Sequence, residues 1–240
     1  MNLKNASASE MATWLSTRLN KRVSVNLDSI TNLQGHLYAI EESLLGNAIP
    51  KRAREFRSGR TAARKCMLEL GLEPGPILIG EKREPLWPAG CVGTISHCGN
   101  YCLVMISPSA GSFSATSPSA GNDSDSTLSL GADIEQLGRV KALLWPRIFT
   151  TVEKDFLNTL DSREADRAAT AMFSAKEAFF KLQHPLTGLW LGFQDAEVSL
   201  GKENSFEITV RKPLKKPMME QTYAGTYNEW QECCIAVMGI

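Results

Sequence analysis

The chain carries no excess of either charge, no long apolar run and no C-x-x-C cysteine pair, and each absence removes a class of function. Lys and Arg total 26 and Asp and Glu total 26, giving a net charge of zero over 240 residues. Proteins dedicated to nucleic acid draw most of their affinity from phosphate neutralisation and carry a basic surplus, so no nucleic-acid partner is expected. No stretch approaches the ~20 apolar residues that span a bilayer, so no membrane partner is expected either. The first ten residues are polar and lack the apolar run of a secretory signal, which points to a cytoplasmic protein. Cys66, Cys91, Cys98, Cys102, Cys233 and Cys234 contain no C-x-x-C pair. Zinc sites ordinarily use such pairs. His97 with Cys98 and Cys102 makes a partial donor set, but buried, reduced thiols are expected.

What is present fits a folded protein with a substantial core, since 43% of the residues are hydrophobic. The length suits one large domain or two small ones. Residues 107–126 are rich in Ser, Gly, Ala and Pro. Such a stretch buries too little apolar surface to offset its ordering entropy and reads as a flexible loop. It divides the chain into 1–107, a loop at 108–126, and 127–240. Each half ends in a short apolar run, residues 101–106 and 233–238, and both read as buried strands. The repetition suggests an internal duplication, although two unrelated halves ending in strands would look the same.

Two helices are predicted. Residues 51–70 place Phe56, Ala63, Met67 and Leu70 at three- and four-residue spacings, with Gly71 as a stop. Residues 163–182 do the same with Ala168, Ala171, Met172, Ala175, Phe179 and Leu182, capped by Asp161 or Ser162 and followed by Pro185. A strand is predicted at 128–134, with Leu128, Leu130, Ala132 and Ile134 on one side. With strands at 198–210 and 233–238 the class is α+β.

The chemistry-bearing residues sit on these elements. Asp133 and Glu135, two apart on a strand, share the face opposite the leucines. Side-by-side carboxylates repel unless a cation joins them, and Mg²⁺ prefers such oxygen ligands. For a bare D-x-E, however, a solvated strand end is the ordinary reading. Glu177 and Lys181 on the second helix have the spacing of a surface ion pair. Phe173, Phe179 and Phe180 crowd the same turns, which favours burial and hence a need for partners. On the first helix Arg52, Arg60 and Arg64 lie near one face, suited either to gripping phosphates or to solvent. Ser96 and His97 are neighbours on a strand and point to opposite faces, so they form no dyad.

Taken together, these segments resemble the 4'-phosphopantetheinyl transferases of the surfactin-synthetase-activating type, in the branch of the enterobactin synthase component. Arg52, Arg60 and Arg64 resemble the family's R-x(7)-R-x(3)-R. Arg83-Glu-Pro-Leu-Trp-Pro88 and the strand ending Ser96-His97 resemble the next elements. Gly131-Ala-Asp-Ile-Glu135 resembles G-x-D-x-E, and Phe173-Ser-Ala-Lys-Glu-Ala-Phe-Phe-Lys181 resembles F/W-S-x-K-E-x-x-x-K. Pro185-Leu-Thr-Gly188 and Leu191-Gly-Phe193 follow the same branch. The resemblance implies two similar α/β halves with pseudo-twofold symmetry, a coenzyme A site at their junction and a monomer. It implies transfer of phosphopantetheine from coenzyme A to an apo carrier protein, whether acyl, aryl or peptidyl. It further implies that Asp133, Glu135 and Glu177 hold Mg²⁺. Arg52, Arg60, Ser96 and His97 would bind the nucleotide side, while Lys176 and Lys181 would neutralise the pyrophosphate. Asp133, Glu177 and Lys181 would be catalytic, with Glu177, or a water it holds, as base. The sequence departs from the family at Ile79, where related members often carry a lysine; Lys82 or Arg83 is expected to substitute. A nucleic-acid module and a carrier-binding protein without catalysis are the other classes. The neutral charge opposes the first, and the intact carboxylates and lysines oppose the second.

Overall fold

The computed structural model of the chain describes residues 3–19, 22–109, 129–218 and 220–240. The loop expected at 108–126 and the strand position Leu128 lie outside the described residues, apart from 108 and 109. The structure divides into two compact units, one of residues 7–130 and 239–240, the other of residues 1–6 and 131–238.

In the first unit the elements are α1 (Ala8–Arg18), β1 (Ser24–Ser29), α2 (Ala39–Ser43), α3 (Pro50–Glu69), β2 (Leu78–Ile79), β3 (Pro85–Leu86), β4 (Cys91–Cys98) and β5 (Tyr101–Pro108). The main sheet has the order β1-β5-β4, antiparallel throughout. Helix α3 begins with Pro50 in its first turn, where a missing N–H costs nothing, and ends before Gly71 at φ +70°, as predicted. It packs across the sheet, and its Ala62, Ala63, Cys66 and Met67 meet Cys102, Val104 and Ile106 of β5 in one core. Gly59 makes the approach possible, since a Cβ there would lie 3.0 Å from Cγ2 of Ile95.

The second unit contains β6 (Leu130–Gln136), α4 (Trp145–Ile148), α5 (Thr151–Asn158), α6 (Ser162–Thr187), β7 (Ala196–Leu200), β8 (Ser205–Val210), β9 (Thr222–Trp230) and β10 (Cys233–Gly239). Its sheet has the order β6-β10-β9-β8-β7. The stretch predicted as strand over 198–210 is a hairpin of β7 and β8. Burial alternates along β8, the signature of a one-sided strand, whereas β6 and β10 are buried almost without interruption. The carboxylate face of β6 is therefore covered rather than solvated. Helix α6 is capped by Asp161, whose side chain accepts from Glu164 N at 2.8 Å. Its end departs from expectation: the helix runs through Pro185, which gives up one backbone hydrogen bond near the terminus, and stops at Gly188 in the left-handed conformation. Ala171, Ala175 and Ala178 are buried along α6, so the helix axis can approach its neighbours closely. All six cysteines are free and buried. Burial pushes the Cys66 and Cys102 thiols up to about 12, which keeps them unreactive. Among the described residues no helix is long and apolar enough to cross a membrane.

Candidate active site

In the second unit the odd-numbered positions of β6 look toward α6. Gly131 is so near that a Cβ would stand 1.9 Å from the carbonyl oxygen of Ala178. By the two-residue period of a strand, Asp133 and Glu135 face the same way, toward the turn of α6 that carries Glu177 and Lys181. Lys181 Nζ donates to Asp133 Oδ1 at 2.8 Å and to the Ala132 carbonyl at 3.1 Å. The i,i+4 pairing with Glu177 is thus not where this lysine bonds. Glu135 accepts from Arg139 at 2.8 Å. Ser174 donates to the Asp133 carbonyl at 3.2 Å, fixing the helix to the strand.

The electrostatics of the cluster follow from burial and crowding. Burial first, then the Asp133 charge, push Glu135 up to about 7, against the opposing pull of Arg139 and Lys181. The same two causes, in the same order, raise Glu177. Among the described residues no three of His, Cys, Asp and Glu converge closely enough to enclose a cation. Asp133 and Glu135 have instead turned to side-chain cations, Lys181 and Arg139. The donor set nonetheless suits a hard divalent ion: three carboxylates, on one strand face and the adjoining helix, with the Asp133 charge opposing ionisation of both glutamates after burial has done so.

Lys176 requires a correction. It is 3% exposed. Its ammonium donates to Glu153 Oε2 (2.7 Å) and to the carbonyls of Phe193 (2.7 Å), Ala196 (2.8 Å) and Ile148 (3.0 Å). With three protons and four acceptors already at hand it has none to offer a phosphate. Helical geometry explains the difference: Lys176 projects about 100° away from Glu177, into the unit's interior.

The first unit holds the second cluster. A cavity of about 600 Å³ is lined by Arg52, Arg60, Arg83 and His97, with Phe56, Ile79 and Ile95 among its apolar walls. Arg60 is 6% exposed and stacks with its guanidinium carbon 3.6 Å from the Phe56 ring centroid. Its Nη2 donates to the Ile77 carbonyl at 3.3 Å, while its Nε has no hydrogen-bond partner among the described residues. Burial, followed by the neighbouring Arg52 and Arg64 and offset by Glu41, lowers it to about 10. A buried guanidinium with an unmet donor is primed for an anion. His97 Nε2 lies 3.1 Å from Ser58 Oγ on α3. Ser96, its neighbour on β4, faces the other way and does not line the cavity. Lys82 does not line it either, whereas Arg83 does, held at φ +69° in the turn between β2 and β3. Arg64 is withdrawn from the expected row. It donates to both Glu41 oxygens, at 3.0 and 3.1 Å, and to the His36 carbonyl at 2.6 Å.

Sequence reasoning missed Glu41, Arg139 and Glu153. Glu41 precedes any periodic segment and gave no signal. Arg139 stands four residues after Glu135, but beyond the strand, where spacing rules do not apply. Glu153 was legible as the fourth residue of a Thr150-x-x-Glu153 capping box, which the structure contains.

Family models match a segment of each unit. The model of the 4'-phosphopantetheinyl transferase N-terminal domain matches residues 40–107, and that of the 4'-phosphopantetheinyl transferase superfamily matches residues 129–235. The chain belongs to this superfamily. It is 34% identical over 165 residues to 4'-phosphopantetheinyl transferase Svp of Streptomyces mobaraensis, covering 68% of this chain and 61% of Svp. It is 31% identical over 172 residues to PptT of Mycobacterium tuberculosis, covering 69% of this chain and 66% of PptT. Enterobactin synthase component D of Salmonella typhi is 34% identical over 188 residues, covering 78% of this chain and 70% of that protein. The match thus spans less than two thirds of the length of Svp and PptT.

Proposed function

We propose that the chain transfers 4'-phosphopantetheine from coenzyme A to a serine of an apo carrier protein, releasing 3',5'-ADP. The carrier is an acyl, aryl or peptidyl carrier of fatty-acid, polyketide, siderophore or nonribosomal peptide synthesis. The observation that carries this reading is the placement of Asp133, Glu135 and Glu177 on facing surfaces of β6 and α6 beside Lys181, with burial and then the Asp133 charge raising both glutamates. Asp133, Glu135 and Glu177 are the residues to hold Mg²⁺, which when bound supplies charge neutralisation for the pyrophosphate. Lys181, a quarter exposed at its side chain, is free to exchange Asp133 for a phosphate oxygen. The carrier serine oxygen forms a bond to the phosphorus bearing pantetheine. The bond from that phosphorus to the bridging oxygen breaks, and its electron pair leaves on 3',5'-ADP. Glu177, raised by burial and then by the Asp133 charge, or a water it holds, takes the serine proton. Little covalent work remains for the protein beyond positioning and charge stabilisation.

Arg52, Arg60, Arg83 and His97 are assigned to the nucleotide-side phosphates, supported by the unmet Nε of Arg60. Basic residues of α3 pair with acids, Arg57 with Glu42 and Arg64 with Glu41, which breaks up the row a nucleic-acid backbone would need. We read the protein as a monomer in a cytoplasmic setting, where six free thiols are at home. The test is to incubate the purified chain with coenzyme A, Mg²⁺ and a panel of apo carriers and weigh the products. A gain of one phosphopantetheine is expected; no gain on any carrier type overturns the reading.

The choice between Lys82 and Arg83 is testable in the same assay. Arg83→Ala is expected to raise the KM for coenzyme A about tenfold, the equivalent of ~1.4 kcal/mol of charge-assisted hydrogen bonding. Lys82→Ala should leave it within about twofold, as a surface substitution does. The reverse pattern would assign the contact to Lys82.

A further inference from the structure

Lys176 and Glu153 form a buried pair whose size and placement exceed what an isolated ion pair needs. Glu153 is 1% exposed. Besides Lys176 it accepts from Thr150 N at 2.7 Å and from Val198 N at 2.6 Å. Through Lys176 the pair also holds the carbonyls of Ile148, Phe193 and Ala196. One ammonium and one carboxylate therefore tie the end of α4, the start of α5, the turn at Phe193–Asp195 and the strand β7 to the middle of α6. The attachment point on α6 is the residue next to Glu177.

The tied segments wall a second cavity. About 210 Å³ in volume, it is lined by Phe179, Phe180, Trp190, Leu191 and Phe193, together with Lys176 and Glu177. The wall is aromatic: Phe193 rests on Phe173 at 5.4 Å between ring centroids, and Trp190 stands edge-on to Phe180 at 5.1 Å, while Trp190 remains 69% exposed. Its flanks are held by Gln183 on the Leu189 carbonyl and by Gln194 on the Pro146 carbonyl, but neither of these reaches the Phe193 carbonyl beside the cavity. A solvent-facing turn of this kind keeps one position only if its backbone is anchored. The hydrogen bond from Lys176 to the Phe193 carbonyl is such an anchor.

We infer that Lys176 and Glu153 are positioning residues, which hold the wall of this cavity in register with Glu177, and that Lys176 makes no contact with a phosphate. The inference rests on the transferase reading for its kinetic consequence, but not for its structural one. Glu153 is the discriminating partner, because a buried carboxylate would repel a phosphate rather than bind one, so it shares an effect with Lys176 only if the two act as a pair.

Lys176→Met, Glu153→Gln and the double variant test this by carrier loading at varied coenzyme A and by hydrogen exchange over residues 190–198. Both single variants are expected to lower kcat by about 10- to 100-fold, the effect of a displaced positioning element, with the KM for coenzyme A within about threefold. The double variant should be no worse than the weaker single one, because a pair is lost only once. Exchange over 190–198 should quicken in both single variants, whether or not the chain loads carriers. A tenfold rise in KM confined to Lys176→Met, or additive losses in the double variant, would return Lys176 to phosphate binding. Unchanged exchange in both variants would overturn the positioning role by itself. If the wild-type chain loads no carrier while exchange quickens in the variants, the transferase reading fails and the anchoring stands.

Discussion

Asp133→Ala is expected to cut carrier loading by at least ~100-fold, the scale on which loss of one preorganised electrostatic group acts. Asp133 is the residue that the rest of the carboxylate cluster responds to: it raises both Glu135 and Glu177, and it is the acceptor of Lys181. Removing it relaxes that crowding, so Glu135 and Glu177 both fall toward the usual carboxylate range. It also leaves two of three oxygen donors for a divalent ion. The fold should tolerate the change. Breaking a buried ion pair is costly chiefly when the surviving charge is stranded. Lys181 is not stranded, because its side chain is 26% exposed and Glu177 lies one turn away on the same helix. The thermal midpoint is expected to stay within a few degrees; Mg²⁺ is expected to raise it in the wild-type chain and not in the variant. Full loading by Asp133→Ala, or an undiminished thermal response to Mg²⁺, would refute the assignment. Either can be read with the folded variant in hand.

Gly131→Ala is expected to be the most damaging added methyl among the described glycines. The added Cβ would lie 1.9 Å from the Ala178 carbonyl oxygen and 2.9 Å from the Leu182 Cβ. The first obstacle is main chain in the middle of a helix and cannot rotate aside. Overpacking costs 1–3 kcal/mol where side chains can yield and more where they cannot, so a loss of about 3 kcal/mol or more is expected. For a chain of this length that lowers the thermal midpoint by about 6–12 °C. Because the displacement separates β6 from α6, activity should also fall in the molecules that remain folded, through the misplacement of Asp133 from Glu177. A variant with the wild-type midpoint and full loading would show that the strand and helix are farther apart than the structure has them.

Both predictions depend on the same local arrangement, and its parts were unequally legible. The alternation that puts Asp133 and Glu135 on one face is a property of any strand. The caps of α3 and α6 are similarly local: Pro50, Gly71, Asp161 and Gly188 act within a turn of their own positions. Even here Pro185 misled, because a proline near a helix end removes one bond without forcing the chain to leave the helix.

The partners of the charged side chains were not legible. Lys181 has a glutamate four residues before it, yet bonds to Asp133, 48 residues away. Arg64 belongs to a basic row, yet is claimed by Glu41, 23 residues before it. Lys176 and Glu177 are adjacent, and one is sealed inside its unit while the other stays half-buried at a cavity. Of Lys82 and Arg83, only the second reaches the cationic cavity, because the turn holds it at positive φ.

The sequence by itself determined the superfamily, the elements that carry the chemistry and the shared face of the two strand carboxylates. Those depend on residue type and on spacings of two to eight positions, which the backbone repeats enforce wherever they occur. Only the tertiary structure decided which cation answers which carboxylate, which arginines remain for an anion, and that the Lys176 ammonium is spent on acceptors of its own unit. Charges are placed by whatever long-range packing leaves within about 3 Å of them, and burial makes that choice strict, because an unmatched charge out of water is too costly to keep.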